Sequence, residues 1–412
     1  MSDILRKYQR RAKAECLEKI DKYWLCFLLG ELRTGKTITA LFVASEYVDY
    51  LKGVVLFVTK KKVIRHVKKD FKVSKLRYDL RVINYEQLHK VNYKPQFIVW
   101  DESHKHGAFP KPSKVTRIAR KKFSNIPCLY LTGTPSPESF AQLFHQMWIS
   151  RRGPWTRFSN FYQWAKVYIK KKKVYIGNNR TINVYKQEKE KGRIQREFSK
   201  FAVTMTQKEA GFDGKIIEKV HTLRLPDVCV EFIKTIKKKK FDDRRNLTAD
   251  SVPKLMTSIH QISSGTYIDD DGERIIISDF KARYIKKYFR GKKIAIFYVY
   301  IAEGEMLRKY FKYWTDDPEW FDYYENVPFI CQVKPGSEGI DLRSADDLIF
   351  FNIGYSAVTY YQARARSQSI DGGNKRVHFI FTDWGIEQDI YRAVLDKETF
   401  TTKHFDPDNY DY

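Results

Sequence analysis

Short apolar runs separated by segments of helical period dominate the first third of the chain. Val54 to Thr59, Arg81 to Asn84, Phe97 to Asp101 and Cys128 to Thr132 are rich in β-branched and aromatic residues. They read as strands apolar on both faces, which a parallel sheet covered on two sides demands and a one-sided hairpin sheet does not. The same pattern returns at Ile294 to Val299, Val327 to Gln332, Asp347 to Asn352 and Val377 to Thr382. An α/β fold with two parallel-sheet domains in tandem follows.

Between the two sets the composition changes. Residues 151–220 carry 18 Lys or Arg against 6 Asp or Glu, in a chain whose formal net charge is +27. Lys170, Lys171, Lys172 and Lys173 are consecutive, with Trp155, Trp164, Tyr168 and Tyr175 interleaved. Basic residues interspersed with rings suit the tracking of a nucleic-acid backbone, and a solvated basic helix face is the competing reading. Polyanions are the natural partners of so basic a chain. The five cysteines form no C-x-x-C pair and read as buried thiols in a reducing compartment. No zinc spacing, signal core or apolar run of membrane-spanning length stands out, so a soluble cytoplasmic protein without membrane contacts is expected. Asp269-Asp270-Asp271-Gly272 lacks calcium-loop spacing and reads as an acidic turn.

The most specific chemistry lies at Gly30-Glu31-Leu32-Arg33-Thr34-Gly35-Lys36-Thr37, which fits G-x-x-x-x-G-K-[ST] after one apolar run and before a helical pattern. In such a loop Gly30, Arg33, Thr34 and Gly35 bring backbone N–H groups around phosphate oxygens at a helix N-terminus. Lys36 adds a point charge, and Thr37 offers a hydroxyl to Mg²⁺. Downstream, the strand ending at Trp100 delivers Asp101-Glu102-Ser103-His104. Asp101 can hold a hard divalent ion while Glu102 orients an attacking water. Thr132 and Thr134 flank Gly133 at the end of another strand, where two hydroxyls can relay a change at the γ-phosphate.

Taken in order, these residues resemble the superfamily-2 helicases and translocases, and within them the Swi/Snf-like branch with its compact bacteriophage versions. Leu5-Arg6-Lys7-Tyr8-Gln9 is similar to the family's opening motif, Gly30 to Thr37 to motif I, Asp101 to His104 to motif II and Thr132 to Pro135 to motif III. Lys292 to Phe297 is similar to motif IV, Gly336 to Leu342 to motif V and Gln362 to Gln368 to motif VI, while Met256 to Gly265 resembles a short helix ahead of the second domain. The resemblance implies that Gln9 reads adenine, that Asn84 and Tyr85 touch DNA, and that Gly339, Asp341, Gln362 and Arg364 contribute to the ATP site. It also implies an arginine finger. Motif VI departs from the family because Ser369 stands where its second arginine belongs, leaving Arg366 or Arg364 for that role. A second departure puts Thr59 and the run Lys60-Lys61-Lys62 after the motif Ia strand, so side chains such as Lys60 and Lys61 replace a backbone contact with DNA.

The domain plan implied is a RecA-like ATP-binding domain over residues 1–150, a basic DNA-contacting insertion or linker over 151–220, a second RecA-like domain over 221–395 and an acidic tail over 396–412. The expected activity is that of an ATP- and Mg²⁺-dependent DNA helicase or translocase, with replication or recombination proteins as candidate partners. The alternatives are an RNA-remodelling helicase and a nucleic-acid-binding module with a degenerate ATPase.

Overall fold

In the computed structural model, residues 4–48, 53–137, 139–175, 181–212, 214–333, 340–367, 373–396 and 405 are described. The chain divides into two compact units, Met1–Gly211 and Phe212–Tyr412. Each is built on a parallel sheet flanked by helices, the two α/β domains that the apolar pattern predicts and the RecA-like fold that the resemblance implies.

In the first unit, helix α1 (Lys7–Tyr23) precedes strand β1 (Leu25–Gly30), and α2 (Lys36–Ala44) follows it. Strands β2 (Val54–Thr59), β3 (Asp79–Asn84), β4 (Phe97–Asp101) and β5 (Cys128–Thr132) come next, with α3 (Ile64–Val73) after β2 and α4 (Lys114–Phe123) after β4. After β5 the chain forms α5 (Gln142–Trp148) and α6 (Phe161–Tyr168), then an antiparallel hairpin of β6 (Ile169–Tyr175) and β7 (Thr181–Glu188). Helix α7 (Arg193–Ser199) leads to β8 (Ala202–Met205). The sheet order is β3-β2-β4-β5-β1-β8, parallel throughout. Every residue of β5 and four of five in β4 are buried, as a doubly covered sheet requires.

This order sets the site. The neighbouring strands β4, β5 and β1 are in register through Asp101↔Leu131 and Leu29↔Thr132. The loop after β1, the carboxylates after β4 and the hydroxyls after β5 therefore emerge side by side at one carboxyl edge. Open α/β sheets bind ligands at such edges.

Residues 151–211 pack with the first unit rather than standing apart. The rings expected to interleave the lysines are mostly interior: Trp155, Trp164 and Tyr168 are buried beside Phe144 and Phe161. Glu197 accepts hydrogen bonds from Trp155 Nε1 at 2.8 Å and from the Tyr168 hydroxyl. Trp164 and Tyr168 lie one turn apart on the inner face of α6 and pack with Trp155, which precedes the helix, so they form no row of stacking platforms. The lysines behave as expected of charged residues, and Lys170 through Lys173 are all exposed on the hairpin.

The second unit opens with β9 (Ile216–Leu223) and carries two short hairpins, β10 (Phe241–Asp242) with β11 (Leu247–Thr248) and β12 (Thr266–Ile268) with β13 (Arg274–Ile276). Strands β14 (Ile294–Tyr298), β15 (Phe329–Gln332), β16 (Asp347–Phe350) and β17 (Lys375–Thr382) complete it. They form a parallel sheet in the order β15-β14-β16-β17-β9. Cys16, Cys26, Cys128 and Cys229 are buried free thiols, whereas Cys331 is partly exposed near the end of edge strand β15. No described helix is long and apolar enough to cross a membrane.

Candidate nucleotide site

The loop from Gly30 to Thr37 turns on glycine where no side chain fits. Gly35 has φ +78°, and a Cβ there would lie 2.2 Å from Gln9 Nε2; one on Gly30 would lie 2.4 Å from Lys36 Cγ. Lys36 Nζ donates to the carbonyls of Gly30 at 2.7 Å and Glu31 at 3.1 Å, so its ammonium is held over the loop. The loop is braced from α1. Tyr8 Oη and Gln9 Nε2 donate to the Thr34 carbonyl at 2.9 and 3.2 Å, and Thr34 Oγ1 donates to the Glu31 carbonyl at 2.8 Å. Gln9, expected to read adenine, is 5% exposed; its Nε2 is on the loop and its Oε1 accepts from Arg6 N at 2.9 Å.

Asp101 ends β4, and its Oδ2 accepts from Thr59 Oγ1 at 2.6 Å across the sheet. Burial, and then the adjoining Glu102 charge, push the Asp101 carboxyl up to about 6 despite Thr59 and the Lys36 and Lys60 ammonium groups. Glu102 takes a left-handed conformation at φ 55°, a costly setting for a residue other than glycine. Burial would raise its carboxyl too, but His104, whose Nδ1 lies 3.2 Å from Oε2, together with Lys60 and Lys36, draws it down to about 2. The two adjacent carboxylates are thereby differentiated, with Glu102 the more firmly ionised. Lys60, expected on a DNA face, lies within electrostatic reach of both carboxylates, while Lys61 is exposed.

Tyr85, expected to touch DNA, is 4% exposed, and its hydroxyl donates to the Asp101 carbonyl. Its ring belongs to the core beside Trp100, so it braces the strand end. Asn84 begins the short 3₁₀ turn that follows β3, its side chain accepting from Gln87 N at 3.1 Å.

A residue that motif reading passed over links the carboxylate segment to the hydroxyl segment. Gln146 on α5 is fully buried; its Oε1 accepts from Ser103 Oγ at 2.9 Å, and its Nε2 donates to the Pro135 carbonyl at 2.6 Å. Thr132 is buried and accepts from Thr134 N at 3.1 Å. Ser139 Oγ then donates to the Tyr185 carbonyl of β7 at 2.7 Å, joining this segment to the base of the basic hairpin. A glutamine in an apolar helix, one heptad beyond Ser139, carries no motif signal; only the packing exposes its role.

In the second unit, Arg364 pairs with Glu218 of β9, whose two oxygens also accept from the Tyr360 and Tyr391 hydroxyls. That pairing makes Arg364 an anchor of the helix Ala357–Arg364. Arg366 follows in a short 3₁₀ turn, half-buried, its carbonyl accepting from Leu342 N at 3.1 Å. The segments similar to motifs V and VI therefore touch. Asp341 binds Arg343 at 2.7 Å, and Gln362 lies half-buried on the same helix as Arg364. Gly339 and the segment from Gly336 to Glu338, like Gln368 and Ser369, lie outside the described residues.

The donor set suits the Mg²⁺ ion that accompanies nucleoside triphosphates. Thr37 and Asp101 are hard oxygen donors, few enough to leave most positions to phosphate oxygens and water. Among the described residues no cluster of three His, Cys, Asp or Glu forms a separate metal centre.

Three solved structures are similar to the chain. The Pyrococcus furiosus Hef helicase domain matches over 94% of this chain and 97% of its own, with a TM-score of 0.52 at 12% identity. The Sulfolobus solfataricus SWI2/SNF2 ATPase core in complex with dsDNA matches over 95% and 91%, with a TM-score of 0.40 at 16% identity. The DNA-bound ATP-dependent Type ISP restriction-modification enzyme LlaBIII matches over 92% of this chain and 28% of its own, with a TM-score of 0.48 at 14% identity. No protein-family model and no curated protein matches the chain. The likeness to the Hef helicase domain shows the fold, two RecA-like α/β domains in tandem.

Proposed function

We propose that the protein is a DNA-dependent ATPase motor of the helicase and translocase class, resembling the Swi/Snf-like branch. The observation that carries this reading is the side-by-side emergence of the Lys36 loop, the Asp101–Glu102 pair and Thr132 from three adjacent strands. The ammonium of Lys36, now on loop carbonyls, transfers to the β- and γ-phosphates of ATP, while the N–H groups at the start of α2 close around them. Thr37 and Asp101 hold Mg²⁺, which when bound neutralises charge on the phosphate oxygens. Glu102, kept ionised by its basic neighbours, accepts a hydrogen bond from the attacking water and aligns it. Arg366 supplies the finger, because Arg364 is committed to Glu218. Ser103, Gln146 and Pro135 transmit the state of the carboxylate segment to the turn after β5, and Ser139 passes it to the hairpin bearing Lys170 to Lys173.

Steady-state ATP hydrolysis by the purified chain, with duplex DNA, single-stranded DNA, RNA or none, tests the reading. Stimulation by DNA above RNA is expected, and no stimulation by any DNA form counts decisively against it. Lys36→Ala should abolish turnover and leave DNA binding intact; retained turnover would disprove the phosphate-loop assignment.

A further inference from the structure

On the second unit, an aromatic face stands exposed among the described residues. Tyr313 is 68% exposed, Trp320 60% and Tyr323 79%, with Trp314 and Tyr324 also exposed. Trp320 and Tyr324 lie 5.5 Å apart between ring centroids, and Tyr323 and Tyr324 lie 4.9 Å apart, so these three rings form one surface, with Tyr313 and Trp314 on the segment just before them. The segment is held by other groups. Phe321 is fully buried against Phe329 of edge strand β15, and Asp317 caps the helix Pro318–Tyr323 by accepting from Glu319 N. Thr315 also pairs with β15, accepting from Ile330 N at 2.9 Å. The exposed rings therefore add little to folding, although exposed tryptophan and tyrosine are the side chains that most often anchor protein contacts.

Charge decides the occupant. Asp316, Asp317, Glu319, Asp322 and Glu325 are all exposed here, with Lys312 the sole basic residue of 312–325, in a chain of net charge +27. Nucleic-acid phosphates are repelled. Rings rimmed by carboxylates instead receive lysine and arginine, through cation–π contact and ion pairing together. The fold already uses that contact nearby, where the Arg308 guanidinium lies 4.6 Å from the Trp314 ring centroid. Basic surface of a second copy would make a head-to-tail contact, building rings or open filaments instead of a two-fold dimer, and crosslinking separates that occupant from another protein. We propose that this face docks a lysine- and arginine-rich segment of another protein.

A fluorescent peptide of repeated Arg-Lys-Leu, titrated with the full-length chain at fixed ionic strength, provides the probe. The double variant Trp320→Ala/Tyr323→Ala keeps every charge and should bind it roughly tenfold more weakly or worse. It should also keep the wild-type melting temperature and ATP hydrolysis. Equal binding by wild type and variant overturns the proposal. Should the double variant misfold, a photo-crosslinking residue at Tyr323 gives the second measurement, in a mixture of peptide, single-stranded DNA and unlabelled chain. Crosslinking to the peptide is expected; crosslinking to DNA or to a second copy instead overturns the proposal.

Discussion

Gln146 shows how much a single buried amide can join. It satisfies Ser103 Oγ and the Pro135 carbonyl together, so removing it strands a hydroxyl and a carbonyl in an apolar setting. A buried polar group left unpaired costs about 1–3 kcal/mol. Gln146→Leu is therefore expected to lower the unfolding free energy by about 1–3 kcal/mol in chemical denaturation and, on the proposed ATPase reading, to lower kcat for ATP hydrolysis. The KM for ATP should hold, because no loop contact to phosphate is touched. A rise in KM with unchanged kcat would assign Gln146 to ground-state binding. Tyr85→Phe probes the other brace: it removes only the hydroxyl that holds the Asp101 carbonyl and should cost about 1 kcal/mol in denaturant unfolding.

Among elements, the β6–β7 hairpin is the most informative. Its four lysines are exposed, its register shifts between Lys170 and Lys172, and its base is buried through Ile169 and Tyr185. It thus presents charge on an anchored arm. Replacing Lys170 through Lys173 by glutamine should weaken DNA binding and make the plot of log affinity against log salt shallower, by about 0.9 for each duplex phosphate that is no longer neutralised. An unchanged slope would return these lysines to the role of a solvated face. The strands themselves were legible from the apolar runs because burial on both faces leaves no polar alternation to confuse them. Strands β6 to β13 were not: β6 carries four consecutive lysines, β8 is four residues long, β9 mixes Glu218, Lys219 and His221 with its apolar positions, and β10 to β13 are two or three residues each.

At the scale of the whole molecule, the second unit carries an unusual load of buried polar groups. Lys281 and Glu387 form an ion pair at 2.6 Å with both side chains fully buried. Lys281→Met alone should destabilise by about 3–5 kcal/mol, while Lys281→Met with Glu387→Leu should come close to neutral, as measured by chemical denaturation. His260 is also buried, with Nε2 facing Asn352 Oδ1 at 2.7 Å and Nδ1 facing the Tyr300 hydroxyl at 2.8 Å. The carbonyl oxygen of Asn352 calls for a donor, so the neutral ring carries its proton on Nε2 and accepts from Tyr300. Burial, helped by the Lys281 charge, lowers its pKa to about 3, below the ordinary 6.5. The unfolded chain therefore binds the proton more readily, and stability falls as pH drops below about 6.5 until near about 3, by up to about 1.4 kcal/mol per pH unit. His260→Gln should flatten the decline in unfolding free energy between about pH 7 and about pH 5; an unaltered slope would show that other groups govern it.

The glycine loop from Gly30 to Thr37, the paired carboxylates and the alternation of apolar strands with helices were determined by sequence alone. Backbone geometry ties each to a short run of neighbouring residues: glycines where no Cβ fits, a lysine beside them, acids at a strand end. Tertiary structure decided what depends on residues distant in the chain. It turned Tyr85 and the tryptophans of the basic region inward, tied Arg364 to Glu218 and Gln146 to Ser103, and left the rings around Trp320 outside. A side chain's partner is set by which elements pack together, and that information is spread over the whole chain.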